Sequence, residues 1–173
     1  MRSLGFAADR VTLTPHCVHN DWWAAQSTQV DRAAIRSGWR VPPDSTVVLF
    51  YARLQARKRQ TIYLPQQESP VPSWFPRRGT AEQSLFQRAL DLGIAERVRF
   101  LGFVNQSALP AVHKATDFMV LASEYEPFAV VVNEASCCRC PVAASDRVGA
   151  TTDLMAPVNP DFVFLCGDVP VLT

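Results

Sequence analysis

A chain of 173 residues, 48% of them hydrophobic, is long enough for one domain with a sizeable core and too short for two ordinary ones. Its 17 basic and 16 acidic residues leave a net charge of +1 with no long run of either sign. That balance excludes an electrostatic footprint for nucleic acid or acidic lipid and points to a small or specific ligand.

The apolar runs are strand-sized, so no transmembrane segment is expected, and the amino terminus lacks a basic-then-apolar leader, so a cytoplasmic chain is expected. Taken in chain order, these runs fall at 11–13, 47–51, 98–101, 118–121, 141–144 and 162–165. Helical patterns lie between them at 81–94, 108–115, 127–138 and 151–155, and Gly93 is a stop signal for the first. Alternating strands and helices predict an α/β fold, a Rossmann-like parallel sheet with helices on both faces. In such sheets ligands bind beyond the carboxyl ends of the strands. Residues 1–45 read as a linker-like segment with a first strand, and 46–173 as the main domain. One stretch breaks the rhythm: 59–78 carries Pro65, Pro70, Pro72 and Pro76, and no helical or strand period survives them.

Cys137, Cys138 and Cys140 crowd one turn, but His16, His19 and His113 supply no zinc-like spacing. Small buried thiols are expected there, with Cys17 and Cys166 as unpaired singles and no metal. The segment Glu126-Pro127-Phe128-Ala129-Val130-Val131-Val132-Asn133-Glu134 reads as a helix that opens on one carboxylate and carries another two turns later. Pro127 suits the first helical position, and Glu126 before it would cap free amides. At 1.5 Å per residue the carboxylates would lie roughly 12 Å apart along the axis. Glycoside hydrolases hold their pair only about 5 to 9.5 Å apart, so a hydrolytic pair is disfavoured. A nucleotide diphosphate sugar fits the wider gap, with its diphosphate facing the amides of the helix start.

Residues 97–155 resemble the carboxyl-terminal domain of a GT-B glycosyltransferase of family 4, the retaining group 1 glycosyltransferases. The resemblance rests on Arg97-Val98-Arg99-Phe100-Leu101-Gly102 before a base-binding loop, and on Asp117-Phe118-Met119-Val120-Leu121-Ala122-Ser123 leading to the donor site. The E-x7-E of Glu126 and Glu134, with its Glu-Pro-Phe opening, follows, and then the strand and glycine turn from Pro141 to Ala150. Upstream, Arg53 and Lys58 resemble the family's phosphate-binding pair, and Val11 to Val18 its interdomain strand and linker.

The resemblance implies glycosyl transfer from a nucleotide diphosphate sugar to an acceptor hydroxyl with retained anomeric configuration. Glu126 would hold the donor sugar, Glu134 the ribose hydroxyls, and Arg53 and Lys58 the departing diphosphate. Amides at Phe128, Ala129 and Val130 would add anion contacts without a metal, and Gly102 would border the base. A missing amino-terminal domain supplied by another chain is a further implied partner, and the isolated chain is expected to be inactive. Two other readings stay open: a non-catalytic nucleotide-binding or degenerate remnant, and a sugar-nucleotide epimerase-like enzyme. By themselves the residues have plainer readings too, with Glu134 a solvated helix carboxylate, Glu126 a cap, and Arg53 and Lys58 part of a solvated basic face.

The match has gaps. Against that family, the amino-terminal domain and the helices that would follow Cys166-Gly167-Asp168 are expected to be lacking from the sequence given. Across 59–78 the family's helix, strand and glycine turn are expected to be lost, as in a segment read out of frame. Ala129 and Arg139 stand where glycine is usual, and His19 replaces a linker aspartate.

Overall fold

The computed structural model describes residues 5–12, 14, 16–51, 58, 73–75 and 82–168. Runs of apolar residues without polar alternation build strands buried on both faces. Six align in one all-parallel sheet: β1 (Val48–Leu49), β2 (Ser73–Phe75), β3 (Val98–Phe100), β4 (Phe118–Leu121), β5 (Val142–Ser145) and β6 (Val163–Phe164), in the order β3-β2-β1-β4-β5-β6. This is the doubly wound order of dinucleotide-binding folds, in which strand order reverses between β1 and β4. Val48 pairs with Ser73 on one side and Phe118 on the other.

Side chains alternate about this sheet. Val47, Leu49 and Tyr51 of the first strand region join Met119, Leu121, Val142 and Ala144 in the main core, together with Trp23, Val112 and Val132. Val48, Val120 and Ala143 face the other way and pack with Phe164, while Phe50 joins Leu85, Ala89, Ile94 and Val98. The first face is covered by α1 (Asn20–Thr28), α4 (Leu109–Ala115) and α5 (Val130–Cys137), and the second by α3 (Glu82–Asp91). The expected α/β architecture with helices on both faces is therefore present.

Four features differ from expectation. Ser73–Phe75 forms β2, paired in parallel with both β1 and β3, so 59–78 does contain a central strand. Three residues free of proline between Pro72 and Pro76 suffice for it, because two neighbouring strands hold its backbone. Val11 and Thr12 are in no strand, and Leu13 lies outside the described residues. Ahead of the first expected helix stand α1 and α2 (Arg32–Gly38). The expected helix at 151–155 is a short π-helical turn, Thr151–Met155.

Asp117, at the amino end of β4, ties α2 to the sheet. Its Oδ2 accepts from the Val47 amide at 2.5 Å and from Arg36 Nη1 at 3.0 Å, and its Oδ1 accepts from Arg32. The same arginines donate to the Lys114, Ala115 and Thr116 carbonyls. Burial pushes the Asp117 carboxyl up, but the Val47 amide, Arg36 and Arg32 outweigh it and hold the pKa below the usual value.

Helix ends follow one design. In α2, α3 and α5 the residue after the C-cap has positive φ, and paired amide bonds close the last turn: Val41 to Arg36 O and Arg40 to Ser37 O, Ile94 to Ala89 O and Gly93 to Leu90 O, Cys140 to Ala135 O and Arg139 to Ser136 O. Gly93 adopts this geometry freely, whereas Arg40 (φ 58°) and Arg139 (φ 57°) hold it against their Cβ. Arg139→Gly and Arg40→Gly are each expected to raise stability by about 1 kcal/mol, or about 2–4 °C in Tm. Thermal melts of the two variants check this.

His113 of α4 is fully buried, its ring 6.1 Å from Trp23 and 6.0 Å from Tyr51, and neither ring nitrogen has a hydrogen-bond partner among the described residues. Burial lowers its pKa from 6.5 to about 4, so as pH falls the unfolded chain takes up the proton first. The contribution is complete above pH 6.5 and is lost between 6.5 and 4, about 3 kcal/mol in all. The Asp117 contribution is lost at still lower pH, below its ordinary value of 3.8. Urea unfolding at pH 7.5, 6, 5 and 4 is expected to show the His113 loss, and His113→Leu to remove it.

Candidate functional site

In doubly wound sheets ligands bind beyond the carboxyl ends of the strands where their order reverses, which here is between β1 and β4. Lys58 follows β1 in the chain and Glu126 follows β4, and the Lys58 ammonium donates to Glu126 Oε2. Their side chains are only 8% and 24% exposed, so this ion pair is largely removed from water. Two residues singled out from sequence thus meet where a doubly wound sheet binds its ligand.

Backbone pairing holds Glu126 in position. Its N–H donates to Arg147 O at 3.1 Å, its carbonyl accepts from Gly149 at 2.9 Å, and the Phe128 carbonyl accepts from Ala150 at 2.7 Å. These bonds run the 126–128 backbone beside the segment after β5, with Glu126 and Val148 in a parallel bridge. At Gly149 the two backbones are so close that a Cβ would sit 2.1 Å from Pro127 O. Sequence reading noted the glycine turn but gave Gly149 no role in the site. Its only sequence signal is a glycine eight residues after the buried run begins.

The expected helix from Pro127 is shorter than proposed. α5 begins at Val130, its N-cap is Ala129 at φ 76° and ψ 73°, and Glu126 is not the cap. Glu126 uses its amide in the bridge to Arg147 instead. The roughly 12 Å axial separation expected of Glu126 and Glu134 assumed a continuous helix and does not apply, because 126–129 are not helical. A left-handed residue followed by a helical one turns successive N–H groups toward a common side, so the backbone from Ala129 to Val131 has the geometry called a nest. Phe128 lies just outside it.

Glu134 occupies the second turn of α5 and is half-buried. Burial pushes the Cys137 and Cys138 thiols up, with the Glu134 carboxylate adding to both. Cys138 and Cys140 reach about 11 and 12, and none of the five cysteines, all among the described residues, is in a disulfide. Gly102 lies two residues beyond β3 at φ 68°, and β2 and β1 stand between β3 and β4. At about 4.8 Å per strand, β3 lies roughly 14 Å from β4. Arg53 falls outside the described residues. His16, which was considered only for zinc-like spacing, packs its ring 5.0 Å from that of Phe128. His19 caps α1, with Nδ1 accepting from the Trp22 amide at 3.0 Å, as the aspartate it replaces could.

Residues 78–168 match the family model described as glycosyl transferases group 1. The chain belongs to this family. It is 33% identical over 141 residues to the D-inositol 3-phosphate glycosyltransferase 2 of Catenulispora acidiphila, a match that covers 73% of this chain and 33% of that protein. Its fold superposes on Anabaena Alr3699/HepE, solved in complex with UDP, at a TM-score of 0.78 and 25% identity over 99% of this chain and 48% of that one. It also superposes on the C-terminal domain of a group 1 glycosyl transferase, LpcC of Francisella tularensis, at a TM-score of 0.68 and 18% identity, covering 82% of this chain and 78% of that one. The group 1 chain described here thus spans about a third of the length of the curated relatives it matches. No helix among its described residues is long and apolar enough to cross a membrane.

The close approach at Gly149 gives a paired test within this group 1 fold. Gly149→Ala must push apart the two segments that position Glu126, at an expected cost of about 2 kcal/mol or more. That corresponds to a Tm loss of about 4–8 °C. Gly38→Ala meets open space at its Cβ and is expected to leave Tm unchanged or raise it, in parallel melts.

Proposed function

We propose that this chain is the donor-binding half of a retaining glycosyl transferase, and that residues 46–173 hold a nucleotide diphosphate sugar in the crevice beyond β1 and β4. The carrying observation is the buried Lys58–Glu126 pair at the reversal of strand order. A cation there suits a diphosphate, and a carboxylate beside it suits sugar hydroxyls, which a carboxylate accepts in pairs. The amides of Ala129 and Val130 supply further anion contacts, with Phe128 fixing the approach of the chain.

In transfer, the bond from the anomeric carbon to the diphosphate oxygen breaks and its electron pair stays on the diphosphate. The acceptor hydroxyl oxygen forms the new bond, and its proton passes to the departing diphosphate oxygen. Lys58, with Arg53 beside it in the sequence reading, neutralises that gathering charge. Glu134 is assigned to the ribose hydroxyls, and Gly102, at the far strand, to the side of the base. The acceptor is assigned to a second lobe facing this edge, so positioning of the two substrates needs that lobe as well. Because the chain's own cations and amides supply the countercharge, no metal is required for donor binding.

Thermal melts with UDP, GDP and ADP test this reading. UDP is the first probe because the HepE structure contains it. A nucleotide at one hundred times its Kd stabilises by about 2.7 kcal/mol, a rise of about 5–10 °C, with or without EDTA. Glu134→Ala is expected to reduce the rise about tenfold in affinity terms. A cooperative melt unmoved by every nucleotide would instead identify a remnant without a working donor site.

A further inference from the structure

The ion pair that marks the site also obstructs it. Lys58 and Glu126 each occupy the position that the other's ligand would take, since a diphosphate needs the ammonium and a sugar hydroxyl needs the carboxylate. A charge-assisted contact between largely buried partners is not given up without replacement, because breaking it returns neither charge to bulk water. The geometry points to a partner exchange: the arriving diphosphate takes Lys58 from Glu126, and only the freed carboxylate then receives the donor sugar. This inference rests on the donor-site reading above.

Other features of the site make such an exchange possible without refolding. The Glu126 backbone is fixed by the Arg147 and Gly149 bonds, independently of the contact its side chain makes with Lys58. The carboxylate can therefore turn while the chain stays in place. Gly149 allows the two backbones to touch, so the pivot is held close to the segment after β5. The nest at Ala129 and Val130 lies on the same loop, a few residues on, and offers the anion a second hold as it displaces the carboxylate.

The exchange predicts an effect opposite to that of losing a simple binding residue. In the resting chain Glu126 competes with the diphosphate for Lys58, so removing its charge should tighten the binding of a ligand that has a diphosphate and no sugar. The test is calorimetric titration of the whole 173-residue chain with inorganic diphosphate and UDP, in the wild type, Glu126→Gln, Lys58→Ala and the double variant. Glu126→Gln is expected to bind both ligands about tenfold more tightly, the scale of one charge-assisted contact. In the Lys58→Ala background the same change is expected to gain less than about twofold, because the contested cation is gone. UDP-glucose, which carries a sugar, is expected to lose its advantage over UDP in Glu126→Gln.

An equal gain in both backgrounds would reduce the effect to removal of a nearby negative charge and would overturn the exchange. So would an unchanged or weaker affinity in Glu126→Gln, given a melt that matches the wild type. A wild-type chain that binds neither inorganic diphosphate nor UDP would overturn the donor-site reading itself, which separates the two failures. If Glu126→Gln melts below the wild type, Glu126→Ala in the same titrations decides, since it removes the competing charge without placing an amide in the crevice.

Discussion

The site depends on one close contact between two stretches of backbone. Gly149 brings the segment after β5 against Pro127 and Phe128, and the bonds from Gly149 and Ala150 to the carbonyls of Glu126 and Phe128 fix the path of the loop after β4. Everything proposed for the donor follows from that path. It sets where the Glu126 carboxylate meets Lys58, it forces the chain through a left-handed residue at Ala129, and it sets where α5 starts. A side chain at Gly149 would alter all three together, so this position matters more to the site than its lack of functional groups implies.

Two kinds of cost accompany this arrangement. Ala129 holds a conformation natural to glycine at the turn into α5, and Arg139 does so at the other end of the same helix, so a helix of eight residues is bounded by strain on both sides. The helix persists because Val132 and Ala135 are buried in the main core against Trp23 of α1, which offsets a few kilocalories per mole of local strain. Packing, rather than local propensity, therefore decides where α5 lies.

Much of the fold was legible because parallel strands buried on both faces appear as unbroken apolar runs, as at β4 and β5. The run at 11–13 looked the same but has no neighbour to pair with among the described residues at Val11 and Thr12. β2 was hidden by the prolines around it, since strand length there is set by the partners and not by the local pattern. α2 was hidden for a different reason: its buried residue is Arg36, held by Asp117 and the Ser45 and Ala115 carbonyls, so its inner face carries no apolar stripe to read. In the site, Lys58 and Glu126 were singled out through the family resemblance, but their contact with each other was not foreseen. The early start expected for α5 followed from Pro127, although Ala129 stands where glycine is usual and so marked the left-handed turn.

The Asp117 cluster has a mechanical consequence for the crevice. It joins the amino ends of β1 and β4 through the Val47 amide and pins α2 across them, at the edge of the sheet opposite Lys58 and Glu126. Val48 and Leu49 pair with Phe118 and Met119 directly beside that anchor, so the alignment of β1 with β4 is decided at the end remote from the ligand. Substitutions at the crevice can therefore alter binding without shifting the register of the sheet.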